Sequence, residues 1–186
     1  MPPSVVLGGI YAFNDKVAHP WFAPAGLNRG GITTAIQAER KLTQSDRDSL
    51  YDSNVNPIAT FPGQGVTVFG QKTLQKKASA LDRINVRRLV IFLKKQISIL
   101  STQVLFDQNV QATWDRFKAL INPFLTDVKT RLGITEYRLI LDDSTTTPDL
   151  IDQNILYAKI MVKPARAIEY IAIDFVIYFF IFVSDH

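Results

Sequence analysis

The 186-residue chain predicts an α+β (α/β-like) fold, with a single mixed sheet of about four to five strands flanked by two long helices and shorter ones. Two observations carry this. Apolar residues recur at helical spacing through two central stretches, and after Gly133 the spacing changes to two. Composition agrees: 47% hydrophobic and 20% charged residues are ordinary globular usage, which excludes a disordered or fibrous chain.

The first 35 residues hold Gly8, Gly9, Pro20, Pro24, Gly26, Gly30 and Gly31 around Trp21 and Phe22, and predict a loop-rich segment pinned by aromatics. Ser45 or Asp46 can cap a short helix to about Tyr51. Ile58–Phe61 and Val66–Phe69 read as strands around a Pro62-Gly63-Gln64-Gly65 turn. From Asp82 or Asn85 to about Leu100, Val86, Leu89, Val90, Leu93, Ile97 and Leu100 share one helical face, while Arg83, Arg87, Arg88, Lys94 and Lys95 share the other. A second helix from about Val110 to Leu132 buries Trp114, Phe117, Leu120, Ile121, Leu125 and Val128, with Pro123 a kink and Gly133 its stop. Tyr137, Leu139 and Leu141 then alternate with Glu136, Arg138 and Ile140 as a half-buried strand. Thr147-Pro148-Asp149 starts a short helix, Leu156 to Val162 forms a strand, and Ala167 to Ile177 forms the last one. Tyr178 to Val183 prolongs it with apolar residues that do not alternate. The domain reading is a leading segment 1–35, a core 36–177 and an arm 178–186.

Chemistry is scarce. There is no cysteine, which excludes disulfides, thiolate metal sites and cysteine nucleophiles, and His19 and His186 are the only imidazoles. No phosphate loop, dinucleotide fingerprint, zinc-protease motif, nucleophile elbow or calcium loop occurs in the sequence. Gly63-Gln64-Gly65 reads as a turn rather than a phosphate cradle, since no helix with a lysine follows it. Asp142 and Asp143 read as a solvated turn rather than a carboxylate pair. No catalytic residue, metal site or cofactor is expected, and the protein is expected not to be an enzyme. The start lacks the basic and apolar regions of a secretory leader, and the run Tyr170–Val183 is too short to span a bilayer, which takes about 20 residues.

Two surfaces remain. The basic face is either solvated or docks an acidic partner; a net charge of +4 without interleaved aromatics favours protein over nucleic acid. The apolar C-terminal run would aggregate if left as a free edge. It either completes the chain's own sheet or adds a strand to a neighbour's. A basic adaptor that binds nucleic acid or an acidic protein is the alternative functional reading.

Several blocks resemble one family in order. Gly9-Ile10-Tyr11-Ala12 with Asp15, Pro20-Trp21-Phe22-Ala23-Pro24-Ala25-Gly26 and Asn28-Arg29-Gly30 are similar to T-even-like contractile tail sheath proteins of bacteriophages. Asn56-Pro57-Ile58, Phe61-Pro62-Gly63-Gln64-Gly65 and Phe69-Gly70-Gln71-Lys72-Thr73 continue the series. The most specific block is Asp82-Arg83-Ile84-Asn85-Val86-Arg87-Arg88-Leu89, followed by Pro123-Phe124-Leu125, Gly133-Ile134 and Lys163-Pro164-Ala165-Arg166. One departure is the apolar Ile177–Phe182, where family members usually carry a polar, glycine-containing stretch.

The resemblance implies the C-terminal, tube-proximal part of a sheath subunit, polymerising as six-fold discs around the tail tube and contracting to drive it through the host envelope. Implied partners are further copies of itself, the tail tube protein, and baseplate and tail terminator proteins, without nucleic acid or membrane insertion. The implied location is the virion tail, after assembly in the host cytoplasm. Arg83, Arg87, Arg88, Lys94 and Lys95 would face the tube or a neighbour. Ile173, Phe175, Ile177, Phe179 and Ile181 would form the exchanged strand, and Lys163, Pro164 and Arg166 a structural motif.

Overall fold

The computed structural model describes residues 2–172. The described residues form five α-helices and five strands: α1 Pro3–Val17, β1 Gly31–Ile32, α2 Gln44–Asp52, β2 Ile58–Phe61, β3 Gly65–Val68, α3 Ile84–Ser101, α4 Gln111–Thr130, β4 Ile134–Ile140, α5 Pro148–Asp152 and β5 Lys159–Pro164. The α+β class holds, as do the two long helices. The single mixed sheet is corrected: the described strands form two antiparallel sheets, one ordered β1-β3-β2 and one made of β4 and β5.

Each sheet serves a separate apolar cluster, and this divides them. Leu89 and Leu93 of α3, Trp114, Phe117, Ile121, Leu125 and Val128 of α4, and Ile134 and Leu141 bury together with Trp21. Ile10 of α1 buries with Ile32, Val66 and Val68 of the three-stranded sheet. Period-two spacing tells which face of a strand is buried, not which distant strand lies beside it. The helix α4 runs through Pro123, with Ile121 and Leu125 both fully buried on either side.

The expected loop at the start is also corrected, because residues 3–17 are helical. Gly8 and Gly9 each disfavour a helix by about 1 kcal/mol relative to alanine, which is why the segment reads as loop. Tertiary contacts override this. Pro3 occupies the first turn, where its missing N–H is no loss, Ile10 and Asn14 are buried, and the Asn14 amide donates to the carbonyl of His19 at 3.0 Å. Beyond α1, Gly30 is held where an added Cβ would lie 2.6 Å from the Val68 carbonyl, so only glycine lets β1 enter the sheet.

Local chemistry sets the remaining boundaries. The β2–β3 hairpin turns at Pro62-Gly63, with Gly63 at φ +73° and the Gln64 N–H donating to the Phe61 carbonyl at 3.1 Å, as a type II turn requires. Thr43 caps α2 in a reciprocal capping box with Asp46. Helix α4 ends in a Schellman motif: Gly133 N–H donates to the Val128 carbonyl and Leu132 N–H to Lys129. The left-handed residue there is Leu132, at φ +63°, and not the glycine.

The last strand expected from the sequence is corrected in part. Residues 165–172 carry no helix or strand, and the rest of that segment lies outside the described residues.

Candidate assembly surfaces

The basic face of α3 separates into two kinds of cation. Arg88 is turned onto α1: its guanidinium donates to both carboxylate oxygens of Asp15 at 2.8 and 2.7 Å and lies 4.9 Å over the Tyr11 ring. Arg83, at the start of α3, reaches Glu169 at 2.7 Å and Asp82 at 3.3 Å. Arg87, Lys94 and Lys95 are exposed and interleave with the exposed Ile91. Helical spacing placed all five on one side of α3; it could not show that two of them are used inside the chain.

Around Glu169 the structure builds a polar socket that the sequence reading missed. The carboxylate accepts from Arg83 Nε at 2.7 Å and from Gln71 Nε2 at 3.2 Å. Tyr51 lines the same cavity as Gln71 and Glu169. Burial pushes the Glu169 carboxyl up, yet these hydrogen bonds, led by Arg83, outweigh burial and hold it below the usual carboxylate range. Conversely, burial and the neighbouring negative charge push the Tyr51 phenol well above its ordinary value. The Glu169 hydrogen bond raises the Arg83 guanidinium further, so the ion pair is fully charged at neutral pH.

Each socket residue is placed by a different element. The capping box fixes α2, which carries Tyr51. The Gln71 carbonyl accepts from the Ile84 N–H at 2.8 Å, and Asn56 exchanges two hydrogen bonds with the Lys72 backbone at 2.8 and 2.7 Å. The available signal in the sequence was a lone carboxylate interrupting the apolar run Ala167-Ile168-Glu169-Tyr170-Ile171.

The other candidates lie apart from this socket. Lys163 and Pro164 end β5, with Pro164 opposite Ile134 and Lys163 weakly paired to Glu136 at 3.5 Å; Arg166 is exposed. Asp142 receives the Ser144 hydroxyl and, at 3.0 Å, the Ser144 N–H, which lowers its pKa within an exposed turn. Ile173, Phe175, Ile177, Phe179 and Ile181 lie outside the described residues. Among the described residues, no group of three or more metal-ligating side chains occurs, and no helix is long and apolar enough to cross a membrane.

The described residues thus present an α+β core with an exposed basic helix face and a C-terminal segment that meets the core at Glu169. Residues 76–178 match the phage tail sheath C-terminal domain, and the chain belongs to that family. It is 40% identical over 170 residues to the tail sheath protein of Vibrio phage KVP40, which covers 91% of this chain and 25% of that protein. It is 38% identical over 176 residues to the tail sheath protein of Enterobacteria phage T4, covering 95% of this chain and 27% of that one. The chain thus spans about a quarter of the length of these curated relatives.

Among solved structures, the sheath complex of an extracellular contractile injection system in its contracted state superposes with a TM-score of 0.85 at 26% identity, over 95% of this chain and 51% of that one. The contracted helical sheath of the anti-feeding prophage gives 0.82 at 25% identity, over 94% and 50%.

Proposed function

We propose that this chain is the tube-proximal core of a contractile tail sheath subunit, which polymerises as six-fold discs around the tail tube and contracts to drive the tube through the host envelope. The observation that carries this is the superposition of almost the whole chain on sheath subunits of contracted assemblies, together with 40% identity to a phage tail sheath protein. The role is structural rather than enzymatic. Partners on this reading are further copies of the chain, the tail tube protein, the baseplate and the tail terminator, assembled in the host cytoplasm into the virion tail.

Exposed Arg87, Lys94 and Lys95 supply the face toward the tube or a neighbour. They are three cations held on a rigid helix whose opposite side is core. Such a face recognises an acidic surface with little conformational cost. Contraction then exchanges side-chain contacts between rigid subunits and needs no nucleotide, provided the contracted packing is the lower in free energy.

Electron microscopy of the concentrated chain, alone and with tube protein, tests the proposal. Rings or sleeves are expected, and Arg87→Glu with Lys94→Glu should abolish co-assembly with the tube at low salt, where screening is weakest. Monomers that bind DNA with steep salt dependence would instead identify a basic adaptor.

A further inference from the structure

Residues 165–172 leave the β4–β5 sheet and reach Gln71 and Arg83 without forming an element of their own. Among the described residues, backbone pairing does little to hold them, with one hydrogen bond from the Ala165 N–H to the Gly133 carbonyl at 3.1 Å. Apolar burial does not hold them either, since Ile168, Tyr170 and Ile171 are 82%, 78% and 78% exposed. The side chain turned inward is Glu169, which is 17% exposed and meets Arg83, itself 29% exposed. A segment that presents three large apolar side chains to solvent and a carboxylate to the protein is attached by that carboxylate. Its hydrogen-bond partners come from two separate places in the chain, Gln71 after β3 and Arg83 at the start of α3, and Tyr51 of α2 lines the same cavity.

We infer that Gln71 and Arg83, in a socket lined by Tyr51, capture Glu169 and fix residues 165–172 against the core. The claim concerns positioning within one subunit. Its consequence for assembly rests on the sheath reading: an arm engaged with a neighbour would transmit load to the core through this ion pair. Arginine suits the task because its Nε holds Glu169 while Nη1 reaches Asp82, and its charge persists at any accessible pH. The outward Ile168, Tyr170 and Ile171 stay available while Glu169 is held.

Limited trypsin digestion of the 186-residue chain reads the anchor directly. Arg166 is exposed, no lysine or arginine follows it, and Lys163 is protected by Pro164, so cleavage there releases the single fragment 167–186. When opening is fast relative to cleavage, the release rate tracks the population of the detached segment. Arg83→Gln, which leaves the cleaved sequence untouched, should accelerate release roughly tenfold or more, equivalent to about 1.4 kcal/mol of lost attachment. Glu169→Gln should act in the same direction and decides the matter if the first variant does not fold, as judged by circular dichroism.

Equal release from the parent chain and both variants would overturn the inference, as would release from the parent chain as fast as from a free peptide of residues 160–186. Microscopy of the same samples separates the two readings. Slow, Arg83-dependent release without sleeves upholds the anchor and rejects the sheath role; sleeves built from subunits with equal release rates do the reverse.

Discussion

The indole N–H of Trp21 donates to the carbonyl oxygen of Arg131 at 2.9 Å, joining the loop after α1 to the end of α4 across 110 residues of chain. This contact leaves no room at Gly133. A Cβ there would lie 2.7 Å from Val128 Cγ1 and 3.1 Å from the Trp21 ring. Gly133→Ala should destabilise the protein by about 1–3 kcal/mol through overpacking, seen as a lower midpoint in urea unfolding at unchanged slope. An unaltered midpoint would show that the indole moves aside freely.

The neighbouring residue predicts the opposite sign. Leu132 holds the left-handed position of the α4 terminus at φ +63° while its side chain is 68% exposed. Leu132→Gly removes the Cβ penalty and loses little packing, so it should stabilise by about 0.5–1 kcal/mol in the same unfolding assay. Loss of stability would mean that the exposed leucine makes contacts this geometry does not account for.

Arg88→Lys should loosen α1 even though charge is conserved. A lysine cannot hold Asp15 with one nitrogen and the Pro20 carbonyl with another, or stack a planar head on Tyr11. The Asp15 side is well exposed, so solvent screening limits the loss to about 1 kcal/mol. Hydrogen exchange should locate it in the amides of residues 7–17, with those of α4 unaffected.

The Glu169 socket makes attachment pH-dependent with a defined sign. Its carboxyl titrates below the ordinary glutamate range in the folded state. The stabilisation is therefore complete above the ordinary unfolded value and is lost as pH falls through the lower folded one. A carbon NMR titration of the side-chain carboxyl should give a midpoint below that of a model glutamate, and Arg83→Gln should move it upward. A midpoint at the model value in the parent chain would rule the ion pair out as a significant interaction.

Helices α3 and α4 were legible because each buries a continuous apolar stripe: Val86, Leu89 and Leu93 in one, Trp114, Phe117, Ile121, Leu125 and Val128 in the other. The β2–β3 hairpin was legible because Pro62-Gly63 can satisfy few other backbone geometries. Helix α1 was not, since its glycine pair argues against a helix and the contacts that oppose this, Ile10 with Val66 and Val68 and Asp15 with Arg88, cross into other parts of the chain.

By itself, then, the sequence determined the periodic elements, the turn chemistry and, through ordered blocks from Gly9 to Arg166, the sheath family. Tertiary structure alone decided that the strands divide into two sheets, that Arg83 and Arg88 serve the fold while Arg87, Lys94 and Lys95 stay exposed, and that Glu169 is captured far from its neighbours in sequence. The reason is physical. Periodicity records each residue's exposure about its own element's axis, whereas the partner of a buried charge is set by which distant donors the packed chain brings within hydrogen-bond reach.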